Sequence, residues 1–369
     1  MDRMIASAPL EDWLRTRYFD CPIDISSSGV TDYTFGELID QLGIHSADLD
    51  RVPFKDSPSL GCRRLREAVA ARYSPGHADS VMVTHGSSEA LFLAIASIVE
   101  PGDEVVVLSP GYHSLSAIAE SMGAVLRPWH LDADRGFRPD LESLRELLNR
   151  RTKAVIVNFP HNPTGATLAE DEYSEFLKII GGHHAYLLWD GAFADLVYDR
   201  PPLADPFTRT ERSFSFGTLS KAYGLPGLRI GWCIATGANL DNMIKIRDYT
   251  TISCSPLSEN LAASALENAD TLIGPRLDDA TANRKLLSRW AAANAELIDY
   301  PPPVGGVTAF PRFRTFSNTR NLCEILSSED GVLVVPGSCF GLAQHMRIGF
   351  GCHTETLTKG LDRLSSRMR

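Results

Sequence analysis

Ser213-Phe214-Ser215-Phe216-Gly217-Thr218-Leu219-Ser220-Lys221-Ala222-Tyr223-Gly224-Leu225-Pro226-Gly227-Leu228-Arg229-Ile230-Gly231 sets a single lysine between an apolar run and a glycine-rich turn. Three glycines and a proline after Lys221 mark the turn as non-helical. Arg229 then leads into a second apolar run, Ile230 to Ala235. A lysine at the end of a buried strand loses water, and its pKa falls. Such an amine can condense with a carbonyl. A lone lysine is ordinarily a solvated surface group, but the ordered residues on either side of this one ask for more.

Working outward, the same rhythm of short apolar run, turn and helical pattern recurs. Val81–Thr84, Glu104–Leu108, Ala154–Asn158, Tyr186–Asp190 and Ser213–Phe216 read as strands. Leu60–Tyr73, Glu89–Val99, Ser114–Met122 and Ala169–Ile180 read as helices. The strands are continuous apolar runs, which is what strands covered on both faces need. This predicts an α/β fold, a three-layer sandwich with a mostly parallel sheet. After about residue 255 the pattern changes. The helical stretches 256–268 and 283–295 give way to strand-like runs at 306–313, 331–335 and 346–350. The reading places a large α/β domain at 46–255, and a smaller α+β domain made of 1–45 and 256–369, with the N-terminal segment over the active site.

In an open parallel sheet, ligands bind beyond the carboxyl ends of the strands. After the first strand come Gly86-Ser87-Ser88, opening a helix; free N–H groups, two hydroxyls and the positive helix end suit a phosphate. Taken alone, serine there is also an ordinary helix cap. Tyr112 follows the second strand and could stack a flat ligand or simply pack. Asn162 sits in Pro160-His161-Asn162-Pro163-Thr164-Gly165, a turn stiffened by two prolines. Asp190 ends its strand as a carboxylate that needs a partner.

Lys+Arg number 36 and Asp+Glu 46, a formal net charge of −10. An acidic chain repels nucleic acid and anionic lipid, so an anionic ligand must be held by a local pocket. The seven cysteines include no C-x-x-C pair, which argues against a disulfide framework or a zinc site and for thiols in a reducing compartment. Met1-Asp2-Arg3-Met4-Ile5 lacks the order of a signal peptide. The expected location is the cytoplasm, with no metal.

Asn162-Pro163-Thr164-Gly165, Asp190 and Ser220-Lys221 with Arg229 together resemble the class I/II aminotransferase group of fold type I pyridoxal-phosphate enzymes. The resemblance implies a homodimer acting on a small amino acid, with roles for named residues. Lys221 would carry pyridoxal 5'-phosphate on its amine and shuttle protons. Asp190 would pair with the pyridine nitrogen, Asn162 would bond the phenolic oxygen, and Tyr112 would stack on the ring. Ser87, Ser88, Thr218 and Arg229 would hold the phosphate. Arg347 would fork onto the substrate α-carboxylate, beside Gly29 and Asn162. Two features depart from the family. Phe193 stands where Asp-x-x-Tyr would place a tyrosine, and the tyrosine usually lent by the neighbouring subunit has no clear match, Phe54 being the nearest aromatic.

Pro9–Arg15, Asp24–Val30, Tyr33–Leu38, Trp189–Phe193 and Gly305–Phe313 are similar to a cyclising branch of this family. That branch implies 3-hydroxy-L-arginine as substrate: water is lost from Cβ, and the guanidine closes a ring in antibiotic biosynthesis. His85, His113, His161 and Lys221 are candidates for the acid that helps the hydroxyl leave. Glu11, Asp12 and Asp32 are candidates for the guanidinium partner, and Asp24 could cap a turn. An ordinary aminotransferase acting on an L-amino acid is the alternative. A cofactor-binding DNA regulator is disfavoured, for the chain offers no room before about residue 45 for a DNA-binding domain and no basic patch.

Overall fold

The computed structural model describes residues 6–369, so the Met1–Ile5 stretch read above lies outside the described residues. Its centre is a seven-stranded sheet. Across the sheet, the strands run in the order Val81–Thr84, Gly231–Ala235, Ser213–Thr218, Tyr186–Asp190, Thr152–Asn158, Glu104–Ser109, Val125–His130. All neighbours are parallel except Gly231–Ala235, which is antiparallel to both of its partners.

The reason for the continuous apolar runs is visible in the packing. Successive strand residues alternate between two hydrophobic cores. Met82, Val105, Val107, Ala154, Ile156, Leu188, Phe214 and Cys233 face one core, with the helices Gly86–Ile98, Ser114–Ser121 and Gly237–Arg247 packed over it. Val81, Val83, Val106, Val155, Val157, Leu187, Trp189 and Ile234 face the other, which continues without a break into the C-terminal third. The layered α/β architecture is therefore as expected.

One strand escaped the reading. Val125–His130 lies at the sheet edge with only Trp129 fully buried, so Arg127, Pro128 and His130 interrupt the apolar signal. Two expected strands are broken. The 306–313 run divides at Pro311, which has no N–H to give. Thr308–Ala309 pairs with Ile348–Gly349, and Arg312–Phe313 with Ile298–Asp299. The 331–335 run divides into Val332–Leu333 and Val335–Pro336. The second late helix begins earlier than expected and spans Ala269–Ala293.

The N-terminal segment joins the far end of the chain. Ile23–Asp24 pairs in parallel with Val332–Leu333. Trp13 is buried, and its Nε1 donates to the Val334 carbonyl at 2.8 Å, while the Arg17 guanidinium lies 3.8 Å from its ring centroid. Leu10 is buried beside it on the helix Pro9–Arg15. Burying two such side chains is worth roughly 1.5–3 kcal/mol each, enough to fix this short helix in place. The backbone of Val30 to Tyr33 is pinned as well. Val30 N–H donates to the Lys221 carbonyl (3.3 Å), Thr31 N–H to Gly351 (2.9 Å) and Tyr33 N–H to Gly224 (2.9 Å). These bonds hold the N-terminal segment over the carboxyl ends of the parallel strands.

No helix among the described residues is long and apolar enough to cross a membrane. The seven cysteines are all unpaired, and Cys233, Cys254, Cys323 and Cys339 are buried.

Candidate active site

A cleft of about 310 Å³ opens where the N-terminal segment meets the strand ends. Lys221, Asp190, Asn162, Tyr112, Ser87, Ser88, Thr218, Arg229, Arg347 and Gly29 all line it. Residues between 29 and 347 thus converge on one space.

One wall is the sheet. The helix Gly86–Ile98 begins at Gly86, whose φ of +72° suits glycine. Ser87 and Ser88 therefore sit in its first turn, where N–H groups lack intrahelical partners. Arg229 itself adopts φ +53°. That geometry lays its guanidinium over Gly86, where a Cβ would come within 2.9 Å of Nη2. Gly231 matters for the same reason: a Cβ there would lie 2.4 Å from the backbone of Gly86 and Ser87. Thr218 Oγ1 accepts from the Ser220 N–H at 3.1 Å. A cation, a helix N-terminus and three hydroxyls around a glycine-walled recess suit a phosphate.

Next to it, Asn158 acts as a tie. Its Nδ2 donates to the Asp190 carbonyl (2.9 Å), and its Oδ1 accepts from the Asn162 N–H (2.9 Å). The strand end bearing Asp190 and the proline-stiffened turn bearing Asn162 are locked together in this way. Burial pushes the Asp190 carboxyl up to about 6, with the Ala192 N–H and Lys221 pulling the other way. A positively charged ring nitrogen would be a suitable neighbour for it. Burial also lowers the Lys221 ammonium to about 8, helped by Arg347 and opposed by Asp190 and Glu11. Its Nζ donates to Ser28 Oγ at 2.8 Å and lies 5.6 Å from the centroid of the Phe193 ring. A carbonyl-reactive amine, a buried carboxylate and a phosphate recess fit pyridoxal phosphate.

The other wall comes from the N-terminal segment and the strand Met346–Gly349. Arg347 is buried. Nη1 donates to Asn162 Oδ1 (3.1 Å) and Nη2 to the Ser26 carbonyl (2.8 Å), while Nε has no partner among the described residues. Burial lowers its guanidinium to about 10. Leu10, Glu11, Leu14, Tyr18, Ser28 and Asp32 complete this wall. Tyr112 reaches across it, its hydroxyl 3.4 Å from Glu11 Oε1.

The open alternatives resolve unevenly. None of the three candidate histidines lines the cleft. His161 is fully buried, bonds Thr164 Oγ1 at 2.8 Å and is pushed by burial down to about 3, so it stays neutral. Burial likewise lowers His113. His85 faces Glu89 and Cys254 instead. Among the carboxylates, Glu11 and Asp32 line the cleft. Asp12 instead pairs with Arg15 at the surface, and Asp24 caps a turn by accepting from the Ser26 N–H and hydroxyl. Ser28, at the amine itself, is the residue the sequence reading missed. Its only signal was its place in the small-residue run Ser26–Gly29. Phe54 is exposed in this chain.

Residues 49–364 match the aminotransferase class I and II family. The chain is 55% identical over 366 residues to capreomycidine synthase of Streptomyces vinaceus, covering 99% of this chain and 94% of that protein. It is 28% identical to a probable N-acetyl-LL-diaminopimelate aminotransferase of Bacillus subtilis, over 84% of this chain and 80% of that one. Among solved structures, the PLP-dependent cyclase OrfR superposes with a TM-score of 0.93 at 40% identity, covering 100% of this chain and 98% of the other. A PLP-dependent aminotransferase from Streptococcus suis superposes with a TM-score of 0.94 at 29% identity, with the same coverage.

Proposed function

The chain belongs to the class I and II aminotransferase family, and from that premise we propose that it is a pyridoxal-phosphate-dependent cyclase that makes capreomycidine from (3S)-3-hydroxy-L-arginine. What carries this reading is the similarity to capreomycidine synthase along 99% of the chain. The cleft supports it, for its polar groups suit an amino acid and a phosphorylated carbonyl cofactor together. The pathway is antibiotic biosynthesis of the viomycin or streptothricin type, and the working form is a cytoplasmic homodimer.

When bound, pyridoxal phosphate supplies an electron sink conjugated to the substrate α-carbon. In this reading Ser87, Ser88, Thr218 and Arg229 hold its phosphate, Asp190 keeps a proton on its ring nitrogen, Asn162 bonds its phenolic oxygen, and Tyr112 covers its face. Arg347 binds the substrate α-carboxylate through a fork of N–H donors, with Gly29 leaving room for the backbone to approach. Lys221 removes the α-proton. An amine lowered to about 8 is partly neutral near physiological pH and so able to do this. The hydroxyl on Cβ departs with a proton as water. A guanidine nitrogen of the same molecule then bonds to Cβ and gives up one proton, and Lys221 returns one proton to the α-carbon. The sum is substrate minus one water, with every nitrogen kept. Closure is intramolecular, so orientation can supply much of its rate. Lys221 and Ser28 are in contact on the cleft wall and no histidine lines it, which favours this pair as the source of the proton for the leaving hydroxyl.

Mass spectrometry tests the reading. Enzyme, pyridoxal phosphate and 3-hydroxyarginine are mixed with no keto acid. The expected product has lost one water, and Lys221→Ala reduces its formation by at least about 10⁴-fold. A keto acid product, or no turnover until an amino acceptor is added, would return the protein to the transaminases.

A further inference from the structure

The charges on the cleft divide into those with an assigned ligand and those without. Arg229 and the helix start face a phosphate, Asp190 faces a ring nitrogen, and Arg347 with its unpartnered Nε faces a carboxylate. Two carboxylates remain, Glu11 and Asp32. Glu11 has the Tyr112 hydroxyl beside it at 3.4 Å. The Asp32 carboxylate has neither a hydrogen bond nor an ion pair among the described residues; Arg276 donates to its backbone carbonyl at 3.5 Å, and the charges of Lys221 and Arg276 act on the carboxylate from beyond ion-pair distance. It stands exposed on the cleft wall, yet its backbone is held firmly. The N–H groups of Val30, Thr31 and Tyr33 around it are tied to the Lys221–Gly224 turn and to Gly351, and the Tyr33 hydroxyl donates to the Leu272 carbonyl at 2.9 Å. A carboxylate fixed on the wall of a ligand cleft, with its own hydrogen bonds unmade, is free to receive a planar cation.

We propose that Asp32 is the guanidinium-binding residue of this cleft, selecting a cationic side chain and holding it curled back over the reacting carbon. The proposal rests on the arginine-type substrate argued above. An arginine side chain held in extended conformation carries its guanidinium away from Cβ, whereas ring closure needs a guanidine nitrogen within bonding distance of it. Asp32 is suited to the curled form because its neighbours Val30 and Tyr33 are bonded to the turn of Lys221, and it lies within electrostatic reach of that amine. Tyr18 also lines the cleft, and its hydroxyl is close enough to feel the charge of Asp32. Asp32 thereby acts both as a specificity-determining and as a positioning residue.

Titration of the holoenzyme, followed through the absorbance of its bound cofactor, tests this with L-arginine and L-citrulline, a neutral side chain of nearly equal shape. The wild-type enzyme is expected to bind arginine about ten- to a hundredfold more tightly than citrulline. In Asp32→Asn that ratio falls close to one, with citrulline affinity and cofactor content unchanged. Asp32→Glu, which keeps the charge one methylene further out, retains part of the preference. If Asp32→Asn does not take up cofactor, Asp32→Ser is read in the same way. Retention of the full preference without the carboxylate overturns the proposal while leaving the substrate reading intact, and so does its loss in Glu11→Gln alone. A wild-type ratio near one overturns both.

Discussion

The two walls of the cleft are built on different plans. The wall proposed for the cofactor takes its residues, Arg229 excepted, from positions at or just after the end of a strand of one sheet, and its groups hold one another: Asn158 joins Asp190 to Asn162, and Thr218 holds the backbone of Ser220. The substrate wall is assembled from residues far apart in the chain, and it is left incompletely paired. Arg347 Nε and the Asp32 carboxylate have no partners of their own among the described residues. A wall that keeps one cofactor throughout gains from being finished in advance. A wall that admits and releases a substrate leaves its hydrogen bonds for the substrate to complete.

Substitutions on the two walls should separate in their effects. Arg347→Lys removes the planar fork and keeps the charge. Affinity for the amino acid is expected to fall about 10–100-fold with cofactor content unchanged, as read from KM and the absorbance of the holoenzyme. Parallel loss of cofactor would mean that the walls are not separable. Gly231→Ala attacks the opposite wall, where the new Cβ meets backbone and neither side can yield. Stability should drop by about 1–3 kcal/mol, with weaker cofactor binding. Gly227→Ala, with open space around it, serves as the control. Thermal unfolding and the cofactor dissociation constant decide between them.

The smallest effect concerns the electrostatic link between the walls. The neutral amine of Lys221 is the form that captures a carbonyl, and its pKa is lowered to about 8. Capture of pyridoxal phosphate by the cofactor-free chain should therefore quicken with pH, by about tenfold per unit, and level off above about pH 8. Arg347 contributes to that lowering, so in Arg347→Gln the break should move to higher pH. An unmoved break in a stopped-flow profile would show that the walls are electrostatically independent.

The same contrast explains what could be read from sequence. Lys221, Asp190, Asn162 and Ser87 each follow an apolar strand within a short local motif, so strand and ligand announce each other. Val125–His130 was missed because an edge strand needs apolar residues on fewer positions. Asp32 stands in sequence as one of three equivalent carboxylates, and Ser28 has only the small-residue run 26–29 to mark it. Their places depend on Ile23–Asp24 finding Val332–Leu333, and no window of sequence contains both. Asp12 and Asp32 look alike on paper; one lies on a solvated helix face beside Arg15, and the other in a backbone clamp.

The pairing of Trp13 with Val334 and of Ser26 with Arg347 each spans 321 residues. During synthesis the N-terminal segment therefore leaves the ribosome long before its partners exist. The central sheet has all its strands by residue 235 and can form while the segment waits. The nascent chain thus completes the sheet wall of the cleft before the wall that carries Arg347. The segment around Trp13 docks only once Val332–Arg347 has been made, and until then the lysine at the floor of the cleft stays open to solvent.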